Sequence, residues 1–234
     1  MTDFHSHILP GVDDGSKDVE MSVAMLRTLA EQGVDRVVAT PHFYPRRDDP
    51  VRFLERRREA ADRLLGAISG ETGFPELILG AEVYYFPGIS HSDVLQSLTI
   101  AGKKGILIEM PPAPWTESMY RELANIHTIQ GLLPVVAHVD RYIRPLRTFG
   151  IPGRLAELPV LVQANAEFFQ QRSTRNLAMK LLRQGQIHMI GSDCHNLTDR
   201  PPNMAGAICE IRRCCGEESL KKLRDLEDVV FTME

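Results

Sequence analysis

Val37-Val38-Ala39-Thr40-Pro41-His42 opens on apolar residues, passes through Thr-Pro, and ends on an imidazole. The pattern recurs in Leu77-Ile78-Leu79-Gly80-Ala81-Glu82, Ile106-Leu107-Ile108-Glu109, Pro134-Val135-Val136-Ala137-His138 and His188-Met189-Ile190-Gly191-Ser192-Asp193-Cys194-His195. Asp3-Phe4-His5-Ser6-His7 adds a sixth run, in which strand alternation turns both imidazoles to one face. Short runs rich in Val, Ile and Leu suit strands buried on both faces of a parallel sheet. In such sheets the strand C-termini carry the chemistry. Six runs ending on His, Asp or Glu therefore predict a shared rim able to hold metal. A seventh, Pro159-Val160-Leu161-Val162-Gln163, ends without a strong ligand, although Asn165 is available to the same rim.

Helical patterns fill the intervals. Ser16 reads as an N-cap, Asp18 and Glu20 suit a first turn, and Val19, Val23, Leu26 and Ala30 recur at helical spacing before Gly33. Further helices are expected from Pro50 towards Ile68, Glu117 to Gln130, Arg175 to Gln184 and Met204 to Cys214, with Met110 to Thr116 as a proline-rich loop. Strand–helix alternation throughout predicts an α/β chain, most simply a distorted, TIM-like barrel of seven β/α units forming a single domain over residues 1–234. A doubly wound open sheet is the alternative, and it has more difficulty bringing six strand ends to one point.

The 234 residues are slightly fewer than the roughly 250 of a typical β/α barrel. A composition that is 43% hydrophobic and 25% charged supports a sizeable core. No apolar run is long enough to span a membrane, and no basic-then-apolar leader precedes the first histidine, so a cytoplasmic location is expected. Cys194, Cys209, Cys214 and Cys215 show no CxxC or disulfide-like spacing, which fits reduced thiols.

His5-Ser6-His7, Asp13-Asp14-Gly15, Thr40-Pro41-His42, Gly80-Ala81-Glu82, Ile108-Glu109, Ala137-His138-Val139-Asp140-Arg141 and Ser192-Asp193-Cys194-His195-Asn196 together resemble the PHP (polymerase and histidinol phosphatase) family. Within it they are most similar to the bacterial manganese-dependent protein-tyrosine phosphatases of capsule and exopolysaccharide systems. The resemblance spans residues 3 to about 202 in the family's order. It implies a PHP fold with three divalent metal ions at the strand C-termini. One ion would lie among His5, His7, Glu82 and Asp193; Glu82 would bridge to a second, held also by Glu109 and His138; Asp14, His42 and His195 would hold the third. Manganese is the metal the resemblance favours, and the imidazole and carboxylate donors also suit iron or zinc.

Four converging carboxylates, Asp14, Glu82, Glu109 and Asp193, would repel one another without cations. Three divalent ions outweigh their charge and turn the rim into an anion site. The expected chemistry is metal-assisted hydrolysis of a phosphomonoester, with Arg141 and Arg200 holding phosphate oxygens. A metal-bound water, His42 and Asp199 are the candidate proton donors to the leaving group. Asp140 departs from the family, where Glu is common, and its shorter reach could reposition Arg141.

Other readings compete. Cys194 and Arg200 satisfy C-x5-R, the spacing of cysteine-dependent phosphatases, but the intervening His195-Asn196-Leu197-Thr198-Asp199 lacks glycine and makes a poor phosphate cradle. Arg46, Arg47, Arg52, Arg56, Arg57 and Arg58 are interleaved with Asp48, Asp49, Glu55 and Glu59 in a chain of net charge −4, which argues against nucleic acid and for a solvated helix face. The loop after His42 could still guide an acidic phosphopeptide, and Tyr84, Tyr85, Phe86 and Trp115 could flank an aromatic substrate, although core packing is the default. His91, His127 and His188 fall outside the pattern. Leu220 to Val230 reads as a charged helix without the Asn-Pro segment common in relatives.

The resemblance implies a phosphotyrosine protein as substrate, specifically a bacterial tyrosine kinase of polysaccharide export. The alternatives are a PHP phosphoesterase for histidinol phosphate or nucleic acid, and a noncatalytic metal-binding regulator.

Overall fold

The computed structural model describes residues 1–143 and 150–233. In chain order the elements are β1 (Thr2–Ser6), α1 (Val19–Glu31), β2 (Arg36–Ala39), β3 (His42–Phe43), α2 (Pro50–Ala67), β4 (Glu76–Leu79) and β5 (Glu82–Tyr84). There follow β6 (Gly105–Glu109), α3 (Glu117–Gln130), β7 (Leu133–Val136), α4 (Asp140–Ile143), α5 (Ile151–Leu155) and β8 (Leu161–Asn165). The chain continues through α6 (Ala166–Gln170), α7 (Arg175–Arg183), β9 (Met189–Gly191), α8 (Met204–Cys215) and α9 (Glu217–Thr232).

All described strand pairs are parallel, in the orders β1-β2-β4 and β3-β5-β6-β7-β8-β9. The two sheets are parts of one curled surface. Runs 37–42 and 77–82, read in sequence as continuous strands, each break in the middle. Pro41 brings no amide hydrogen to a ladder, so β2 stops at Ala39 and β3 resumes at His42. Backbone bonds span the breaks, from the Gly80 amide to the Ala39 carbonyl at 2.9 Å and from the Glu82 amide to the Pro41 carbonyl at 3.1 Å. At the other edge Ser6 bridges Cys194 in parallel. There the Asp193 amide donates to the His5 carbonyl at 2.8 Å and the His7 amide to the Cys194 carbonyl at 2.9 Å. Strand order follows chain order without the reversal that defines a doubly wound sheet.

Two apolar layers hold this surface. Phe4, Val38, Ile78, Leu107, Val135 and Met189, each from a different strand, form an inner cluster that Val230 of α9 joins. The larger outer cluster packs the helices against the opposite face of the strands. The ring of Phe231 on α9 lies 5.7 Å from that of Phe4, so the C-terminal helix covers the end of the surface away from the strand C-termini. Among the described residues no helix is long and apolar enough to cross a membrane.

Three local expectations need correction. Asp18, not Ser16, caps α1, accepting the Met21 amide at 2.8 Å. Ser16 donates instead to the Asp18 carbonyl at 3.0 Å. The seventh strand is Leu161–Asn165, two residues later than Pro159–Gln163. In it the amide side chains of Gln163, the expected strand end, and of Asn165 are both buried and hydrogen-bonded. The C-terminal helix expected over Leu220 to Val230 is longer, Glu217–Thr232, while those expected from Pro50, Glu117, Arg175 and Met204 lie within a residue of their observed bounds.

Candidate metal centre

The strand C-termini converge where the sequence pattern places them. His5 and His7 leave β1 on one side of the chain, and two glycines let neighbouring backbone approach them. A Cβ on Gly191 would stand 2.5 Å from the His5 Cβ, and one on Gly15 would stand 2.2 Å from the His7 carbonyl oxygen. The imidazole Nε2 atoms of His5 and His7 face each other at 3.1 Å. Both point at Glu82 Oε2, at 3.2 and 3.3 Å, and at Asp193 Oδ1, at 3.6 and 3.4 Å.

Glu82 is the hub. Besides these two rings it meets His42 Nδ1 at 3.0 Å and His138 Nε2 at 2.8 Å. Glu109 lies 3.8 Å from each of His42 and His138. Asp14, on the exposed side, stands 3.6 Å from Nε2 of both His42 and His195. The donor atoms fall into three overlapping groups that could each hold an ion: His5, His7 and Asp193; His42, Glu82 and Glu109; and His7, Asp14, His42 and His195. His138 stands outside these groups but against Glu82. All nine metal-site residues expected from sequence thus reach one region, although His42 faces both Asp14 and the Glu82–Glu109 pair.

The outer partners explain why the rings point inward. The Nδ1 side of His7 meets Asp13 at 2.6 Å, that of His5 meets Gln163 Oε1 at 3.3 Å, and that of His195 meets the Asp193 carbonyl at 3.0 Å. With Nδ1 donating to these oxygens, the Nε2 lone pairs are directed to the interior, the arrangement a metal-binding histidine needs. Asp13 also accepts the His42 amide at 2.9 Å, and Gln163 accepts the His138 amide at 2.6 Å. Asp3 accepts the Ser192 amide at 2.7 Å, fastening β1 to the turn that carries Asp193. Asn165 donates to Asp193 at 3.0 Å. The sequence reading assigned no such positioning roles to Asp3, Asp13, Gln163 and Asn165. Their signal was weak: an acid two residues before His5, another beside Asp14, and two amides alternating along a strand.

Electrostatics and backbone fit a cation at this point. Glu109 Oε2 and His138 Nδ1 are buried without a hydrogen-bond partner. Burial acts against the Glu82 charge, but the His5 charge and hydrogen bonds from His138 and His42 hold its carboxyl well below the usual range. Burial and the Glu82 charge push Glu109 up to about 7. His138 (φ 31°) and Asp193 (φ 53°) adopt left-handed backbone, a strained region for residues other than glycine. Cross-strand packing thus holds groups that would separate on their own.

Arg141 and Arg200 both reach Asp193, Arg200 at 2.6 Å. They border a cavity of about 550 Å³ that Asn165 and Asp199 also line. The departure at Asp140 does not displace Arg141, because Asp140 is engaged elsewhere, accepting the Asn165 amide at 2.9 Å. The C-x5-R match does not form a cradle. Cys194 is fully buried, and burial with the Asp3 charge raises its thiol well above the ordinary value. The amides of Thr198, Asp199 and Arg200 all turn onto the Asn196 side chain. His91, His127 and His188 lie outside the cluster, against Ser90, the Leu132 carbonyl and the Val162 amide. Trp115 packs on Tyr120 and Tyr142.

The family model described as capsular polysaccharide synthesis, CpsB/CapC, matches residues 1–226. Tyrosine-protein phosphatase CpsB of Streptococcus pneumoniae is 29% identical over 241 residues, covering 95% of this chain and 94% of the relative. Tyrosine-protein phosphatase YwqE of Bacillus subtilis is 28% identical over 229 residues, covering 93% and 86%. A solved structure from work on B. subtilis YwqE and S. pneumoniae CpsB, described as unique metal-dependent tyrosine phosphatases, superposes with a TM-score of 0.87 at 24% identity. It covers all of this chain and 96% of the other, establishing a shared fold.

Proposed function

As the chain belongs to the CpsB/CapC family of capsular polysaccharide synthesis, we propose that it is a metal-dependent tyrosine-protein phosphatase. The observation that carries this reading is the convergence of His5, His7, His42, His138 and His195 with Asp14, Glu82, Glu109 and Asp193 beside Arg141 and Arg200. The names of the two phosphatase relatives support the substrate class.

The nine side chains would hold three divalent ions, manganese by preference, within a distorted seven-unit barrel that makes residues 1–234 a single PHP domain. Bound there, the ions would supply Lewis acidity and an activated water for attack on phosphorus. The chain's own residues do the rest. Glu82 faces His5, His7, His42 and His138 and would draw their donor atoms together around the ions. Asp13 and Gln163 fix the tautomers of His7 and His5. Arg141 and Arg200 present forked donors to the cavity, where phosphate oxygens match their geometry and gather negative charge during transfer. Asp199 lines that cavity, as a proton donor to the leaving phenolate would have to. The substrate we assign is a phosphorylated tyrosine kinase of the capsule or exopolysaccharide system, which carries a cytoplasmic location with it.

The test is phosphotyrosine-peptide hydrolysis by wild-type and Cys194→Ser protein before chelation, after it, and after manganese is restored. Metal-dependent activity that survives the serine change is expected. Metal-independent activity lost in Cys194→Ser would overturn the proposal.

A further inference from the structure

The rim continues beyond its ligands into an aromatic wall. His42 pairs with Glu82 and Phe43 with Val83, so strand alternation carries Tyr44 and Tyr84 past the two ligands. The Tyr44 ring lies 5.1 Å from that of His42 and 5.8 Å from that of Tyr84. Pro45, Tyr85, Phe86 and Arg47 close with them around a cavity of about 340 Å³. Tyr44 and Arg47 also border the hollow in front of Asp14 and His42, so the cleft is continuous with the candidate metal centre.

The loop bearing this wall is fastened to itself. The Arg47 and Asp48 amides donate to the Tyr44 carbonyl at 2.8 and 2.9 Å. Asp48 accepts the Tyr44 amide at 2.7 Å and pairs with Arg56 at 3.2 Å, while Asp49 caps α2 through the Arg52 amide at 3.0 Å. The loop's two acids are thereby committed. Arg46 and Arg47 stay exposed, Arg47 over the Tyr44 ring at 5.3 Å, and neither has a carboxylate partner among the described residues. Two unpaired guanidiniums on an aromatic cleft fit an occupant with an aromatic body and a negative charge. The cavity beside Arg141 and Arg200 offers the opposite surroundings, since Asp140, Glu167 and Asp199 line it.

We propose that this cleft binds the residues flanking the phosphotyrosine of a peptide substrate, with an aromatic side chain against Tyr44, Tyr84 and Phe86 and a neighbouring carboxylate facing Arg46 and Arg47. The proposal rests on the tyrosine-phosphatase reading and adds its sequence preference.

The test uses the full chain reconstituted with manganese, p-nitrophenyl phosphate, and two phosphotyrosine peptides of equal length, one flanked by Phe and Asp and the other by Phe and Lys. Wild type is expected to favour the acidic flank by about tenfold in kcat/KM, mostly through KM, with the margin shrinking as salt rises. The double variant Arg46→Glu/Arg47→Glu is expected to reverse that order, and an unchanged urea midpoint checks its folding. Equal rates on the two peptides in wild type, or an unaltered ratio in the folded double variant, would overturn the cleft while hydrolysis of p-nitrophenyl phosphate keeps the phosphatase reading. No hydrolysis of any of the three substrates would remove both.

Discussion

The same strands end in opposite chemistry. At the C-terminal rim they bring imidazoles and carboxylates into a crowded, partly unsatisfied cluster. Within the curl they place Phe4, Val38, Ile78, Leu107, Val135 and Met189 against one another and against Val230. The inner layer gains stability by removing apolar area from water, while the rim gathers like charges and holds His138 and Asp193 in strained backbone. Stability and chemistry are therefore separated along the strand axis, with only Ile108 between Leu107 and Glu109.

That separation breaks most visibly at Glu82. Glu82→Gln keeps the shape but removes the charge that faces four histidines. Phosphatase activity is expected to fall by more than about 100-fold, beyond the loss typical for a residue behind the ligands. The metal-free urea midpoint should move little. A large fall in that midpoint would show that the rim also carries the fold. Leu107→Ala is the converse. It opens a cavity in the inner layer and is expected to cost about 2–5 kcal/mol of unfolding free energy at an unchanged urea m-value. Manganese titration of the folded variant should still show tight binding, and loss of binding would mean that the two ends are coupled.

How far each region was legible in the sequence follows the same division. Most candidate ligands stood out because they close short apolar runs, and strand ends in parallel sheets are where chemistry collects, whereas Asp14 was named only by the family resemblance. The strand breaks at Pro41 and at Gly80-Ala81 were less visible, because the apolar pattern runs up to both and only backbone pairing reveals them. Gln163 was read as the weak end of a strand, since an amide side chain signals neither core nor ligand until its partners are known. Asp13 stood next to Asp14 with only the resemblance to divide their roles, and burial supplies the physical difference: Asp13 turns inward to His7, while Asp14 remains exposed. The role of α9 depends on a contact between opposite chain ends, Phe4 and Phe231, which local patterns do not encode.

Asp13 sharpens the comparison inside the rim. Asp13→Asn keeps an oxygen near His7 Nδ1 but removes the negative charge that raises the basicity of the ring. Manganese affinity is expected to weaken about 10- to 100-fold, the range for a partner behind a ligand. Isothermal titration of the chelated and dialysed variant measures it. Wild-type affinity would assign Asp13 to loop structure alone, through its bond to the Gly15 amide at 3.0 Å.

The smallest effect tests the apolar end, which holds one buried acid. Glu227 on α9 is inaccessible to solvent, accepts the Thr2 amide at 3.3 Å and lies 3.8 Å from Arg36. Arg36 is itself drawn to Asp228 at 2.7 Å, and the N-terminal amine to Asp35 at 3.0 Å, so neither cation is free to compensate Glu227 fully. Burial therefore raises its carboxyl to about 7 from an unfolded value near 4.5. The folded state holds the proton more tightly than the unfolded chain, so this contribution to stability is complete below about 4.5 and is lost as pH rises through about 7. Glu227→Gln fixes the neutral form. Relative to wild type, it is expected to gain about 1–2 kcal/mol between pH 5 and pH 8, read from paired urea midpoints. A relative gain confined to α9 would appear as earlier amide-exchange opening of that helix in wild type at pH 8, with the rim unaffected. A difference that does not change with pH would mean that Glu227 stays charged in the fold, and that the apolar end tolerates a carboxylate as the rim does.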